Sequence, residues 1–360
     1  MKVKDLRVIH LPFITGNSAW YLSKYERKFV NRSEVAYFSF LNKEVLYNEL
    51  NYDIRVVFSN KYMAILSILK FYLWAIFKYD IFHFNAGSAL FISNKNKFID
   101  FLDIKLLKFF KKKIVFTYQG SGRLKSTFIS RIDRFDEVYF GVFDDTDDES
   151  VRKRRIDLVN RYSDLIYSTN PDLLYNFDSK KSVFRPYTKM DLLKPFNKKF
   201  NEKLKIIHFP TNKKAKGTDF IIRAFNELRD EGFNFDFLCV SEINNSEVRY
   251  IMRESDILID QLLIGWYGGV AIEAMNFGVP VVAHINEHDL KFIPHEMAED
   301  SPIIKADLIT FKTVLIDLIN NPYKLSDISK KGFDYLIKWH NPETIAKQIT
   351  NDYIRLFEGI

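Results

Sequence analysis

Gly268 and Gly269 lie in a run, Ile257 to Ala283, that reads as a strand, a glycine turn, a short helix and a second strand. That order can build an anion site. Lacking side chains, the two glycines let backbone N–H groups approach a ligand closely, and the helix opening with Gly269 and Val270 turns its positive end toward whatever occupies the turn. Glu273 falls about one turn into that helix. A carboxylate there repels phosphate but accepts hydrogen bonds from a neighbouring diol, so the pair suits a nucleotide, with diphosphate on the amides and ribose on the acid. Gly278 then stops the helix and Pro280 launches a buried strand.

A second group of chemistry-bearing residues, Asn212, Lys213, Lys214 and Lys216, sits in a loop between a strand and an amphipathic helix. Lysines at the N-terminal mouth of a helix oppose its dipole, so either an anion compensates them or they are a solvated charge run. Gly16 and Asn17 mark another strand passing through a turn into a helix, which is either a further set of helix-mouth amides or an ordinary connection. His83, Asn85 and Gly87 follow one strand, and Thr117 to Gly122 another. In a doubly wound sheet both groups emerge at the carboxyl edge, where ligands bind. Gln119 can hydrogen-bond a hydroxyl or an oxyanion but cannot serve as a general base near neutral pH. His83 is the nearest titratable candidate, and its alternative role is that of a hydrogen-bonded structural histidine. The Asp-x-Asp within Asp144 to Glu149 could hold a divalent cation, but it also precedes the basic run Arg152 to Arg155 and so reads as the cap of the helix carrying those bases.

The elements that must position these residues alternate strand and helix from start to finish, the pattern of parallel sheets covered on both faces. Strands are expected at Arg7 to Leu11, Glu34 to Phe38, Ile54 to Phe58, Asp80 to Phe84, Ile114 to Tyr118 and Leu165 to Ser168. In the second half they fall at Leu204 to Phe209, Phe235 to Val240, Ile257 to Asp260, Pro280 to Ala283 and Pro302 to Lys305. Between them, Phe220, Ile221, Ala224, Phe225 and Leu228 share one helix face. Pro186 and Pro195 interrupt the periodicity, which divides the chain into domains at 1–190 and 191–340, with a last helix at 341–360.

The Ile257–Ala283 run resembles the donor-binding core of the retaining group 1 (family 4) glycosyltransferases of GT-B fold. The likeness extends more weakly over nearly the whole chain. It implies two facing doubly wound Rossmann-like α/β domains, the first on the acceptor side and the second binding a nucleotide sugar, with the last helix crossing back to the first. In that family two glutamates frame the run; Glu273 matches the second, which meets the ribose, whereas Gly265 stands where the sugar-contacting first would be. Lys216-Gly217 matches the family's diphosphate loop, but Thr211 stands where its Arg usually sits, with Lys213 as the substitute. The family often has a His where this chain has Gln119. By this resemblance Asn212, Lys213, Lys216 and the Gly268, Gly269 and Val270 amides hold the leaving diphosphate. Gly16 and Asn17 approach the donor from the first domain, Trp266, Tyr267 and Gln119 border sugar and acceptor, and His83 is the titratable neighbour. The implied activity is metal-independent transfer of a sugar to the hydroxyl of a glycan or lipid-linked acceptor in surface polysaccharide or lipid-linked glycan assembly, with no cofactor. A nucleotide diphosphate sugar of undetermined base is the donor. The alternatives are a catalytically inactive binding or partner subunit, and a hydrolase or epimerase acting on nucleotide sugars.

Composition narrows the partners. The chain has 360 residues, enough for two domains, and a net charge of +7 that favours anionic ligands. Its single cysteine, Cys239, lies in an apolar run, has no disulfide partner and reads as a buried inert thiol. No nucleic-acid-binding module is recognisable, so nucleic acid is not an expected partner. Met1-Lys2-Val3-Lys4 leads straight into a strand without an apolar leader, and the most apolar window, Tyr62 to Phe77, contains Lys70 and is too short to span a bilayer, so a cytoplasmic protein is expected. The stretches Met63 to Lys78 and Phe101 to Lys113 interleave lysine with Leu and Phe. They fit either peripheral seating on an anionic membrane or sheet-covering helices with solvated lysines. Nothing in the sequence sets an oligomeric state.

Overall fold

The computed structural model describes residues 5–12, 17–40, 50–119, 149–194 and 197–359. These divide into two compact units: the described residues up to 190 together with the C-terminal helix, and Asp191–Asn341. In the first unit the strands are β1 (Arg7–Leu11), β2 (Arg32–Phe40), β3 (Ile54–Phe58), β4 (Ile81–Asn85), β5 (Lys113–Tyr118), β6 (Leu165–Ser168) and β7 (Ser182–Phe184). The helices are α1 (Ser18–Glu26), α2 (Lys61–Lys78), α3 (Leu102–Phe109) and α4 (Glu149–Tyr162). The sheet order is β3-β2-β1-β4-β5-β6-β7 with every pair parallel. Such strands are covered on both faces, which is why β4 is buried along its whole length. Side chains alternate between the faces. Ile9 and Leu11 of β1 join the core beneath α2 and α3 with Phe71, Tyr72, Ile104 and Leu107, while Val8 joins the opposite core with Leu22 of α1.

In the second unit the elements run β8 (Lys205–His208), α5 (Lys213–Lys216), α6 (Thr218–Asp230), β9 (Asp236–Cys239), α7 (Asn245–Arg253), β10 (Ile257–Ile259), α8 (Gly269–Asn276), β11 (Val281–Ala283), α9 (His295–Glu299), β12 (Ile304–Lys305), α10 (Phe311–Asn320) and α11 (Lys324–Trp339). Their sheet is again parallel, in the order β12-β11-β10-β8-β9. Ile221, Phe225 and Leu228 of α6 pack on Ile206, Ile257 and Ile259, as the helix periodicity predicts. Cys239 corrects its sequence reading: it is a free thiol only partly buried, because β9 is an edge strand.

The chain then returns to the first unit. Helix α12 (Pro342–Glu358) buries Ile345, Ala346, Ile349 and Tyr353 against Val8, Ile81, Val115 and Tyr167, completing the core on the α1 side of the sheet. Each large apolar side chain so buried contributes about 1.5–3 kcal/mol before ordering costs. The basic run of α4 is not simply solvated, since Arg154 and Arg155 both bond the fully buried Asp100. The Asp-x-Asp ahead of it lies outside the described residues.

Candidate functional site

In an open parallel sheet, ligands bind past the carboxyl ends of the strands where the order reverses, which in the second unit is between β8 and β10. The residues there are His208 and the lysine loop after β8, and Asp260 and the glycine turn after β10. Asp260 is fully buried. One of its oxygens accepts from Lys216 Nζ at 2.7 Å and the other from the Gly268 backbone N–H at 2.6 Å. A Cβ at Gly268 would stand 3.4 Å from that carboxylate, so the turn lies directly on it. The lysine loop and the glycine turn, read separately in the sequence, are thus joined by one acid that the sequence reading missed. Its only local signal is a carboxylate ending an apolar strand.

Lys216 is therefore held differently from the expected free phosphate grip. It ends the short helix α5, is buried, and already has a counter-charge. Its ammonium carries three donors, so bonding to Asp260 leaves capacity for a ligand. Lys213 and Lys214 are exposed, and Asn212 caps α5 by accepting from the Ala215 N–H at 3.0 Å. Gly217 adopts φ 75°, a left-handed conformation that suits glycine, and hands the chain to α6. Gly268, Gly269 and Val270 are partly accessible, while Ala271 to Asn276 are buried, Glu273 included, about one turn into α8.

Beside Asp260, His208 ties the two strands together. Its Nδ1 donates to the Ile259 carbonyl at 2.8 Å, so Nε2 accepts from Thr218 at 2.9 Å. Burial pushes this imidazole down to about 4, with Lys216 adding to the effect. The unfolded chain, with an ordinary histidine, holds more protons between that value and about 6.5, so stability falls as pH drops through this window. Between about pH 7 and about pH 5 the loss from His208 should be roughly 2 kcal/mol. Urea titrations of wild type and His208→Asn check it: the difference between them should shrink toward acid pH. The comparison also isolates this effect from Asp103, whose burial raises it to about 6 and works in the opposite direction. A pH-independent difference would exclude a neutral buried His208.

The glycine turn is also anchored away from the ligand side. Gln261 donates to the Trp266 carbonyl, and Asn286 N–H donates to the Gly265 carbonyl at 2.9 Å. A Cβ at Gly265 would come within 2.5 Å of the Asn286 Cβ, so a glutamate at this position would require the Asn286 backbone to move. Trp266 and Tyr267, expected to border the substrate, are built into the packing behind the turn. Both are buried and stacked at 4.5 Å, and the Tyr267 hydroxyl bonds His340 at 2.8 Å and Tyr335 at 2.9 Å. Their partners lie on and after α11, beyond the reach of local sequence reading.

In the first unit, Asn17 adopts φ 58° just before α1, and its Oδ1 accepts from the Asn51 N–H at 3.1 Å instead of capping the helix. Gln119, following β5, donates to Ser18 Oγ at 2.7 Å, and its Oε1 is buried without a partner among the described residues. Asn17, Ser18 and Gln119 thus gather at the carboxyl edge of this sheet. Gly16 lies outside the described residues, as do Gly120 to Gly122.

His83 is corrected from a catalytic candidate to a core residue. It sits in the middle of β4, fully buried, and burial together with the neighbouring His10 holds its imidazole well below the ordinary histidine range. Its nitrogens bond the Tyr353 and Thr117 hydroxyls, each at 2.6 Å. Tyr353 in turn donates to Glu26 at 3.0 Å, and Glu26 also accepts from Ser33 at 2.6 Å and bonds His10 at 2.8 Å. His10, Glu26 and His83 bring their ligand-type atoms within 4.8 Å of one another. Several of the atoms a cation would need are engaged in these hydrogen bonds, so the group serves as a polar clamp on α12.

No family model matches the chain, and no curated protein matches it in sequence. Solved structures do match. Sucrose-phosphate synthase of Thermosynechococcus elongatus superposes with a TM-score of 0.62 at 16% identity, over 98% of this chain and 100% of that one. The fold is GT-B. Anabaena HepE in complex with UDP gives 0.59 at 13% identity, over 97% and 99%. S. aureus MnaA with UDP gives 0.54 at 14% identity, over 99% and 98%. The GT-B likeness covers both units and accounts for their two parallel sheets, while the chemistry rests on the residues described above.

Proposed function

We propose that this GT-B chain moves a sugar from a nucleoside diphosphate sugar to an acceptor hydroxyl, with retention and without a bound metal. The observation that carries the reading is the convergence of Lys216 and the Gly268 amide on buried Asp260 at the switch point of the second sheet. This fixes an ammonium beside the accessible first turn of α8, where helix-mouth amides favour negative charge. As the bond from the anomeric carbon to the diphosphate breaks, charge grows on the leaving oxygen. Lys216, exposed Lys213 and the Gly269 and Val270 amides stabilise it more than they stabilise the bound donor. The acceptor oxygen bonds the anomeric carbon, and its proton passes to the leaving phosphate. Glu273 holds the ribose hydroxyls, and the unpaired Gln119 carbonyl suits a hydroxyl of a glycan or lipid-linked acceptor. The UDP complexes of HepE and MnaA make UDP the first nucleotide to try.

A second reading, a nucleotide-sugar-binding partner without turnover, is favoured by Gly265, whose packing on Asn286 leaves no room for a second glutamate. Release of free nucleotide from a donor separates the two.

A thermal-shift screen with UDP, GDP, ADP and TDP selects the nucleotide, since binding to the native state stabilises it. Calorimetry then compares that ribonucleotide with its 2′,3′-dideoxy analogue. Loss of both hydroxyls should cost wild type about 2–4 kcal/mol, roughly thirty- to a thousandfold in affinity. Glu273→Gln should bind the two ligands about equally. Equal binding of both by wild type removes Glu273 from the ribose.

A further inference from the structure

Helix α2 has two apolar faces and only one of them is used. Ala64, Ile68, Phe71, Tyr72 and Ala75 pack into the first unit's core. Tyr62, Leu66, Leu69, Leu73 and Phe77 recur at steps of four, three, four and four residues, which makes one stripe along the helix. That stripe is in solvent, with Tyr62 82%, Leu73 63% and Phe77 79% exposed. Helix α3 runs over the same core and is tied to α2 by the Tyr72 hydroxyl on Asp103 at 2.8 Å. It adds Phe98 just before it and Phe109 at its end, 86% and 80% exposed. Contiguous apolar exposure of this kind marks an interaction surface.

The unpaired charges along the stripe's own segment are of one sign. No acidic residue occurs from 54 to 79, from 81 to 99 or from 104 to 113; of the intervening acids, Asp100 and Asp103 are fully buried and Asp80 is neutralised by Arg7 at 2.8 Å. Lys70, Lys78, Lys95, Lys97 and Lys111 are exposed. The lysines at the end of α3 are partly committed, Lys108 to Asp164 at 2.7 Å and Lys112 to the Tyr79 carbonyl at 2.8 Å, which shifts the apolar weight to α2. A second copy of the chain docked stripe to stripe would bring the same lysines together with no acid to neutralise them. An anionic lipid surface supplies both the apolar layer and the counter-charge. Among the described residues no helix is long and apolar enough to cross a bilayer, so the contact lies in the membrane plane.

We propose that α2 docks the protein on anionic membranes, with the Tyr62–Phe77 stripe in the acyl boundary and the flanking lysines among the headgroups. Sedimentation with vesicles of phosphatidylcholine plus phosphatidylglycerol, against phosphatidylcholine alone, tests it without donor or acceptor, so it stands apart from the transferase reading. Wild type should bind the mixed vesicles, less as salt rises. A Leu73→Asp, Phe77→Asp variant should bind at least about tenfold more weakly, because two large apolar groups leave the interface. Both positions are exposed, so its melting temperature should match wild type. Lys70→Glu with Lys78→Glu should remove the preference for phosphatidylglycerol. Failure of wild type to sediment, equal binding to both vesicle types, or undiminished binding by the aspartate variant overturns the proposal. So does a wild-type dimer in ultracentrifugation that the aspartate variant splits while neither protein binds vesicles.

Discussion

Asp260→Ala should cost about 3–5 kcal/mol of stability, because it strands the buried Lys216 charge and also takes the acceptor from the Gly268 amide. Lys216 would lose its counter-charge with little access to water and dominates that total, while the Gly268 N–H, in a partly accessible turn, loses the acceptor that fixes it. The same change should abolish nucleoside diphosphate binding, since both the ammonium and the glycine turn lose their common anchor. Stability and binding can be separated. Asp260→Leu with Lys216→Met replaces the ion pair by apolar volume and should recover most of the stability, as buried pairs contribute little net over a hydrophobic substitute, while binding stays lost. Urea unfolding and calorimetry measure the two quantities. An Asp260→Ala midpoint equal to wild type would show that Lys216 is not held by this acid.

Glu26→Ala should be comparably costly, about 3–5 kcal/mol, because three groups lose a buried acceptor at once. Ser33, His10 and Tyr353 all bond this carboxylate in a region without solvent access. The loss should localise to α12, whose Tyr353 hydroxyl bridges Glu26 and His83, so amide exchange in Pro342–Glu358 should accelerate beyond that in β4. Tyr353→Phe keeps the ring and removes only the hydroxyl, and should cost about 1 kcal/mol. If it costs as much as Glu26→Ala, the Tyr353 hydroxyl alone carries the carboxylate's contribution, and the Ser33 and His10 bonds to Glu26 add nothing.

The strands and the glycine-helix run were legible because they are local: apolar runs of strand length, bounded by glycine or proline, at spacings that only parallel units produce. Strand β7, three residues long, gave no such signal. The candidate site was legible in its two halves and not in its join. Lys216 and Gly268 announce themselves by type and position, whereas Asp260 looks like the last residue of a strand until the fold brings Lys216 beneath it. The packing of Trp266 and Tyr267 was hidden for the same reason, since Tyr267's partners, Tyr335 and His340, lie far along the chain. His83 sits on the right strand, but position along the strand decides whether a side chain reaches the carboxyl edge, and His83 stops short of it.

Helix α12 follows the entire second unit in sequence yet supplies part of the first unit's core. During synthesis, therefore, the first unit emerges early with an apolar sheet face uncovered between Val8, Ile81 and Tyr167, and stays incomplete until the last helix leaves the ribosome. The second unit, closed by Asn341, has all its own segments available sooner. The larger sheet, begun first, is thus covered after the second unit has been made, and the pairing of α12 with it spans a long sequence separation. Closure of so long a loop is slow compared with local helix and strand formation. The interval leaves the face beneath α12 as the surface most in need of a chaperone.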